Sequence, residues 1–200
     1  MRLVALLEAL IGCSQAAAAP VECANIDIDL DRLACYDREV GRIPKITALP
    51  GKGAWVVRSE KSVLTDRIEV FMSVRSDENV VCGWNKGARV NLTLRCMDNT
   101  TALIFDTGCH MTSSEYNSHG DVTYRIDAEK ARSVSMVEST DNRSLGLWSG
   151  GKAIPMIKQM LGKSRVVARM TPYGENPITA TFPVSGLEDA IKPLRQACDW

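Results

Sequence analysis

Six cysteines, Cys23, Cys35, Cys82, Cys96, Cys109 and Cys198, run from near the N-terminus to the third-last residue. An even set spread this widely reads as a disulfide framework. It constrains the fold more than any other feature, because each bridge holds two backbone points within about 7 Å. Such bridges persist only in oxidising surroundings, so the chain is expected to work outside the cytosol.

The N-terminus agrees with export. Arg2 supplies a small basic region, Leu3 to Gly12 an apolar one, and Ala16 to Ala18 a small-residue cleavage site. Residues 1–19 are therefore expected to be a signal peptide, although Glu8 is unusual in its apolar part. A rival reading takes Leu10-Ile11-Gly12-Cys13 as a lipobox, making Cys13, the seventh cysteine, a lipid anchor point. Either cut leaves the same six cysteines. Neither this segment nor any later run reaches the roughly 20 apolar residues a membrane span needs.

The remainder, about 180 residues, suffices for one good core. Lys and Arg number 24 against 24 Asp and Glu, so no basic stripe points to nucleic acid. Aromatic residues make up only 6%, which does not suggest a platform for stacking bases or sugars.

The periodicity predicts a helix over residues 27–40, with Leu30, Leu33, Ala34 and Val40 on one face. If Cys23 and Cys35 bond, residues 23–27 must double back as an extended arm, since twelve helical steps span about 18 Å. A Pro/Gly-bearing linker, residues 41–53, closes an N-terminal arm of 20–53. Residues 54–200 then form a single α+β domain, a mainly antiparallel sheet or sandwich with helices at both ends. Its expected strands are 54–58, 68–74, 90–97, 102–107, 121–126, 134–138, 166–170 and 178–182, with turns at Ser62–Asp66 and Asp98-Asn99. Two helices are expected after the strand at 134–138. One covers 152–161, with Ile154, Ile157, Met160 and Leu161 inward and Gly162 as its stop. The other follows a capping box at Ser185-Gly186-Leu187-Glu188, turns Leu187, Ala190, Ile191, Leu194 and Cys198 to the core, and is interrupted by Pro193.

Several groupings carry possible chemistry. Asp106-Thr107-Gly108 follows an apolar strand, as the catalytic aspartate of an aspartic peptidase does, but that chemistry needs two such aspartates sharing a proton. A single copy implies a homodimer; the plainer reading is a strand ending in a turn. Cys109-His110 with His119 or Asp121 suggests a metal site, though the spacing fits no zinc pattern and export favours a bridged Cys109. Gly150-Gly151-Lys152 is a helix entry with anion-binding potential, and lacks the spacing of a phosphate loop. The sequons at Asn91, Asn99 and Asn142 bear only on a eukaryotic secretory protein. No cofactor is expected.

The stretch Cys23-Ala-Asn-Ile-Asp-Ile-Asp-Leu-Asp-Arg32-Leu33-Ala-Cys35-Tyr36-Asp37 resembles the N-terminal signature of the TagO/VasI family, exported proteins associated with bacterial type VI secretion. The likeness continues through Trp55, Ser62 to Asp66, Leu94-Arg95-Cys96, Asn99-Thr100-Thr101 and Tyr124-Arg125-Ile126-Asp127. It closes with Phe182, Gly186-Leu187, Pro193-Leu194-Arg195 and Cys198-Asp199-Trp200. The Gly83 to Gly87 turn resembles an insertion against the family pattern. The resemblance implies a periplasmic accessory protein without established catalysis, meeting an envelope protein partner of a secretion machine. It also implies pairing of Cys23, Cys35, Cys96 and Cys198 among themselves, and of the additional Cys82 with Cys109. On this reading the chain is a binding or assembly module, with Arg95, Arg125 and Asp127 as a surface patch or a structural ion-pair cluster. Two other readings stay open: a dimeric peptidase using Asp106, and a secreted inhibitor or effector.

Overall fold

The computed structural model describes residues 21–25, 32, 35–36, 53–83, 85–113 and 117–200. The chain divides into two compact units, residues 1–47 and 48–200. In the first, α1 (Val21–Ala24) is a helical turn, Arg32, Cys35 and Tyr36 are also helical, and a disulfide joins Cys23 to Cys35 with Cα atoms 5.5 Å apart. Cys23 thus sits in a helical turn where an extended arm was expected. A helical turn at Cys23 satisfies the same distance limit while keeping local backbone hydrogen bonds. The signal segment with Cys13, most of the helix expected over 27–40, and the linker up to residue 52 lie outside the described residues.

The second unit is built from two antiparallel sheets. One has six strands in the order β1-β2-β3-β4-β8-β7 and the other four in the order β10-β9-β5-β6. The strands are β1 (Val56–Lys61), β2 (Ile68–Cys82), β3 (Asn85–Met97), β4 (Thr100–Asp106), β5 (Asp121–Ile126), β6 (Arg132–Ser135), β7 (Val137–Glu138), β8 (Ser144–Leu147), β9 (Arg165–Met170) and β10 (Ile178–Pro183). Between β8 and β9 lies α2 (Gly150–Met160); α3 (Leu187–Ala190) and α4 (Lys192–Ala197) end the chain. The expected fold class, mainly antiparallel sheet with a C-terminal helical segment, is therefore what the chain adopts.

Alternation explains most of it. Val70, Met72 and Val74 of β2, Leu92, Leu94 and Cys96 of β3, and Val122, Tyr124 and Ile126 of β5 are buried while their neighbours are not. Successive side chains of a strand point to opposite faces, so each sheet offers one apolar face to the shared core. Phe105 of β4 meets Phe182 of β10 there, ring centroids 5.5 Å apart. The β3–β4 hairpin turns on Asp98 (φ 48°) and Asn99 (φ 58°), with Met97 facing Thr100. Two left-handed central residues make the tight hairpin turn whose twist matches the strands.

Four expectations need correction. The single strand expected over 134–138 is broken at Met136, whose N–H bonds to the Gly120 carbonyl (2.8 Å) and whose side chain is buried; β6 before it and β7 after it lie in different sheets. The inward face of α2 is Ala153, Met156, Ile157 and Met160, while Ile154 and Leu161 are only half-buried. The Ser185 capping box does not form: Gly186, at φ 81°, is the N-cap of α3, and no side chain bonds to the cap. Ser185 is drawn instead toward the Ser164 carbonyl (3.5 Å). Pro193 stands in the first turn of α4, where a missing N–H is harmless, and the break falls at Ile191. The structure also adds β8, which is not among the expected strands.

A bulge in β2 links the sheets. Register is lost between Arg75 and Val81. The buried Ser76 hydroxyl accepts the Val90 N–H (3.0 Å) and donates to the Glu78 carbonyl (2.8 Å), replacing ladder bonds. The Glu78 carboxylate then accepts the backbone N–H of Thr181 in β10 (2.7 Å). Partial burial pushes its pKa up, but the hydrogen bonds from Thr181 outweigh it and leave the pKa below its ordinary value. A carboxyl with a depressed folded-state pKa stabilises above its unfolded pKa and loses that contribution as pH falls through the folded value. Glu78→Gln is therefore expected to flatten the acid side of the stability profile, below about pH 4.5, in urea melts at stepped pH. An unchanged profile would show that the contact contributes nothing.

Candidate functional site

The site grows out of the outer face of the six-stranded sheet. On β3 the inward Leu92, Leu94 and Cys96 leave Thr93 and Arg95 pointing out; on β4 the outward residues are Ile104 and Asp106. Register places Thr93 opposite Ile104, Ile104 opposite Gly146, and Asp106 opposite Ser144. Gly146 makes room for an aromatic wall. A Cβ there would meet the Trp148 ring at 2.7 Å, so only glycine lets the indole lie down on β8. The indole N–H donates to the Val137 carbonyl (2.9 Å), fixing the ring against β7. Arg95 brings its guanidinium to 5.5 Å from the ring centroid, a distance at which a cation is attracted by the aromatic face.

The β7–β8 connection makes the opposite wall. Ser139 N–H bonds to the Ser144 carbonyl (3.0 Å), the Ser139 hydroxyl donates to Asp141 (2.5 Å), and Asn142 adopts a left-handed φ of 55°. Between the two walls is a groove of about 590 Å³ lined by Thr93, Arg95, Asp106, Glu138, Asp141 and Trp148, among others. The Ser139 hydroxyl and then the Arg143 N–H hold the Asp141 pKa below its ordinary value. Glu138 is likewise lowered, first by the Ser113 hydroxyl that donates to it, against the opposing effect of burial. Both are ionised at neutral pH, but Glu138 stands opposite the inward Leu145 and gives its carboxylate to Ser113, so Asp141 is the fixed carboxylate of the groove wall across from the guanidinium and the indole. It suits a mixed polar and aromatic contact.

Asp106 lies at the groove floor and accepts from the Ser144 hydroxyl (3.3 Å). The Thr107 hydroxyl donates to the Arg143 carbonyl (3.0 Å) and accepts the Cys109 N–H (3.0 Å), and Gly108 has φ 66°. Those bonds build a strand end and its turn. Cys109 is disulfide-bonded to Cys82, which removes it as a thiolate ligand or nucleophile. His110 and His119 instead flank Tyr173, with ring centroids 5.4 and 5.9 Å away. Among the described residues no group of His, Cys, Asp and Glu could hold a metal ion. Gly150 and Gly151 open α2, where the Lys152 and Ala153 N–H groups bond to the Ser149 carbonyl (3.0 and 2.9 Å).

The patch expected from Arg95, Arg125 and Asp127 is not assembled. Arg95 belongs to the six-stranded sheet, whereas Arg125 is exposed on β5 of the other sheet. Asp127 (φ 47°) caps a turn, accepting the N–H groups of Ser164 (3.1 Å) and Arg165 (2.9 Å). No ion pair joins the three among the described residues. Alternation along β3 and β5 could have shown both arginines outward. Nothing local announced that Arg95 meets Trp148, since the contact depends on β8.

Cys96 and Cys198 are bonded across a sequence separation of 102, tying the end of α4 to β3. Trp200 follows, its indole N–H donating to the Thr101 hydroxyl (2.9 Å) and its ring beneath Arg195. Among the described residues no helix is long and apolar enough to cross a membrane.

Among solved structures, the chain is similar to the crystal structure of invasion associated protein b from Bartonella henselae, at 12% identity and a TM-score of 0.47, over 74% of this chain and 96% of that one. A comparison with the curated proteins found no match. A family model described as "Type VI secretion system VasI, EvfG, VC_A0118" matches residues 22–200, which include every strand and helix of the second unit and the Cys23–Cys35 pair. The chain belongs to this VasI family of type VI secretion proteins.

Proposed function

We propose that this protein is a periplasmic accessory module of a type VI secretion machine that works by binding, with no chemistry of its own. The groove between Trp148 and the β7–β8 connection is its docking site for a protein component of the machine's envelope-spanning part. The observation that carries this reading is the preorganised Trp148–Arg95 pair, seated where Gly146 alone makes room. Tryptophan and arginine are the residues that most often dominate protein contacts, and here both are held in place before any partner arrives. The fixed carboxylate of Asp141 favours a partner that brings a basic side chain. Export is supported by the cysteines, whose three bridges need an oxidising compartment.

The test is a set of variants scored for secretion and for co-purification with envelope components. Trp148→Ala and Arg95→Glu are each expected to weaken partner capture about ten-fold or more, with circular dichroism unchanged. Gly146→Val should act the same way by dislodging the indole. Arg125→Ala, on the other sheet, should leave capture untouched. Well-folded Trp148→Ala and Arg95→Glu proteins that secrete and bind like the parent would overturn the reading.

A further inference from the structure

β1 is the outer strand of the six-stranded sheet, and among the described residues it pairs only with β2. Five of its six residues are exposed; Val57 alone is half-buried. Strands at open edges are ordinarily protected by a proline, a bulge or charged side chains, lysine above all. Residues 56–61 contain no proline and their register with β2 is unbroken, so their protection is charge alone, and Arg58, Glu60 and Lys61 supply it in both signs. The hairpin that β1 shares with β2 also concentrates exposed aliphatic side chains: Val56 (51%), Val63 (96%), Leu64 (91%) and Ile68 (52%). Its tip is well defined. Ser62 N–H bonds to the Arg67 carbonyl (2.9 Å), Asp66 N–H to the Ser62 carbonyl (3.0 Å), and Lys61 pairs with Asp66 (2.6 Å).

We infer that this edge is a self-association surface, on which β1 pairs antiparallel with β1 of a second copy about a two-fold axis at Ser59. The backbone determines which residues are available. Ser62 spends its N–H on the β2 side of the hairpin, and in an antiparallel ladder alternate residues bond to opposite sides. Glu60, Arg58 and Val56 therefore bond inward, while Lys61, Ser59 and Val57 turn their N–H and C=O groups outward. A two-fold pair must match residues of one class, which restricts the axis to a residue position.

Charge then selects among the positions. An axis at Arg58 would set Arg58 against itself, and one at Glu60 would set Glu60 against itself. With the axis at Ser59, Ser59 faces Ser59 of the second copy, Val57 faces Lys61, and Arg58 faces Glu60 on both sides. Opposite charges directly across a strand pair stabilise it, and like charges destabilise it. Within one copy Arg58 Nε is already 3.7 Å from Glu60 Oε2, so both side chains lie on one face. The same register carries Val63 and Leu64 of each tip alongside Ala54 to Val56 of the other copy. Such a contact is isologous and closes on itself, giving a dimer rather than a filament. The groove at Trp148 lies toward the opposite edge of the sheet and stays open.

A strand edge with two tips is at the small end of stable interfaces, so the association calls for a wide concentration range. The test is sedimentation equilibrium of the full chain, disulfides intact, from about 5 to about 500 µM. The parent protein is expected to pass from monomer to dimer. Arg58→Glu alone and Glu60→Arg alone should each weaken the dimer about ten-fold or more, because both cross-strand pairs become like-charged. An equimolar mixture of the two single variants restores it, since each glutamate then faces an arginine, and so does the double swap Arg58→Glu/Glu60→Arg. A parent that stays monomeric throughout, single variants that associate like the parent, or a mixture that fails to recover would each overturn the proposal.

Discussion

Replacing Cys96 and Cys198 together by serine is expected to lower the unfolding free energy by about 4–5 kcal/mol in the chain-entropy account of cross-links. The bridge spans a sequence separation of 102, so removing it frees most of the second unit in the unfolded state. The Cys82–Cys109 bridge, with a separation of 27, is worth about 3.5 kcal/mol on the same basis. The double replacement is the right variant, because a single one leaves a free thiol in place of a buried bridge. The loss has a visible local consequence as well. The Cys96 bond anchors the segment carrying Trp200, whose indole N–H bonds to Thr101. Amide exchange should therefore rise first in α4. Guanidinium unfolding of parent and variant measures the total; equal midpoints would show that the terminal segment is held by packing alone.

Phe105→Ala is the second large effect, at about 3–5 kcal/mol. Phe105 is completely buried in β4 and its ring packs at 42° against Phe182 of the opposite sheet. Truncation empties the centre of the sandwich, where strands on both sides are too well paired to collapse into the space. Phe182→Ala should cost a similar amount, and the two together less than their sum, because each has already lost the shared ring contact. Phe105→Leu keeps most of the volume and should cost far less. Urea midpoints for the four variants against the parent test this, and strict additivity would deny the contact its role.

The same residues show which parts of the fold were legible in the sequence. Val122, Tyr124 and Ile126 alternate so regularly that the limits of β5 were readable, and Asp98-Asn99 announced its hairpin through turn chemistry alone. β8 was not readable. Its Leu145-Gly146-Leu147 core is short, follows a polar turn, and carries a glycine that reads as a break; the glycine is there for a ring two residues on. Met136 looked like one more strand residue because periodicity reports burial, not which of two sheets a residue enters. The site was half visible for a related reason. Arg95 stood out in its strand, but its partner is fixed by the pairing of β4 with β8, a long-range contact that no local pattern carries.

If the Trp148 groove is where this VasI family member meets its secretion machine, a cross-linker placed in the groove must reach the partner. A photo-cross-linking amino acid is introduced in living cells at Thr93, in the groove, and separately at Arg125, on the other sheet. Position 93 is expected to give an adduct with an envelope component of the machine, and position 125 none. No adduct from the groove, or one equally strong from the far sheet, would mean that the partner docks elsewhere.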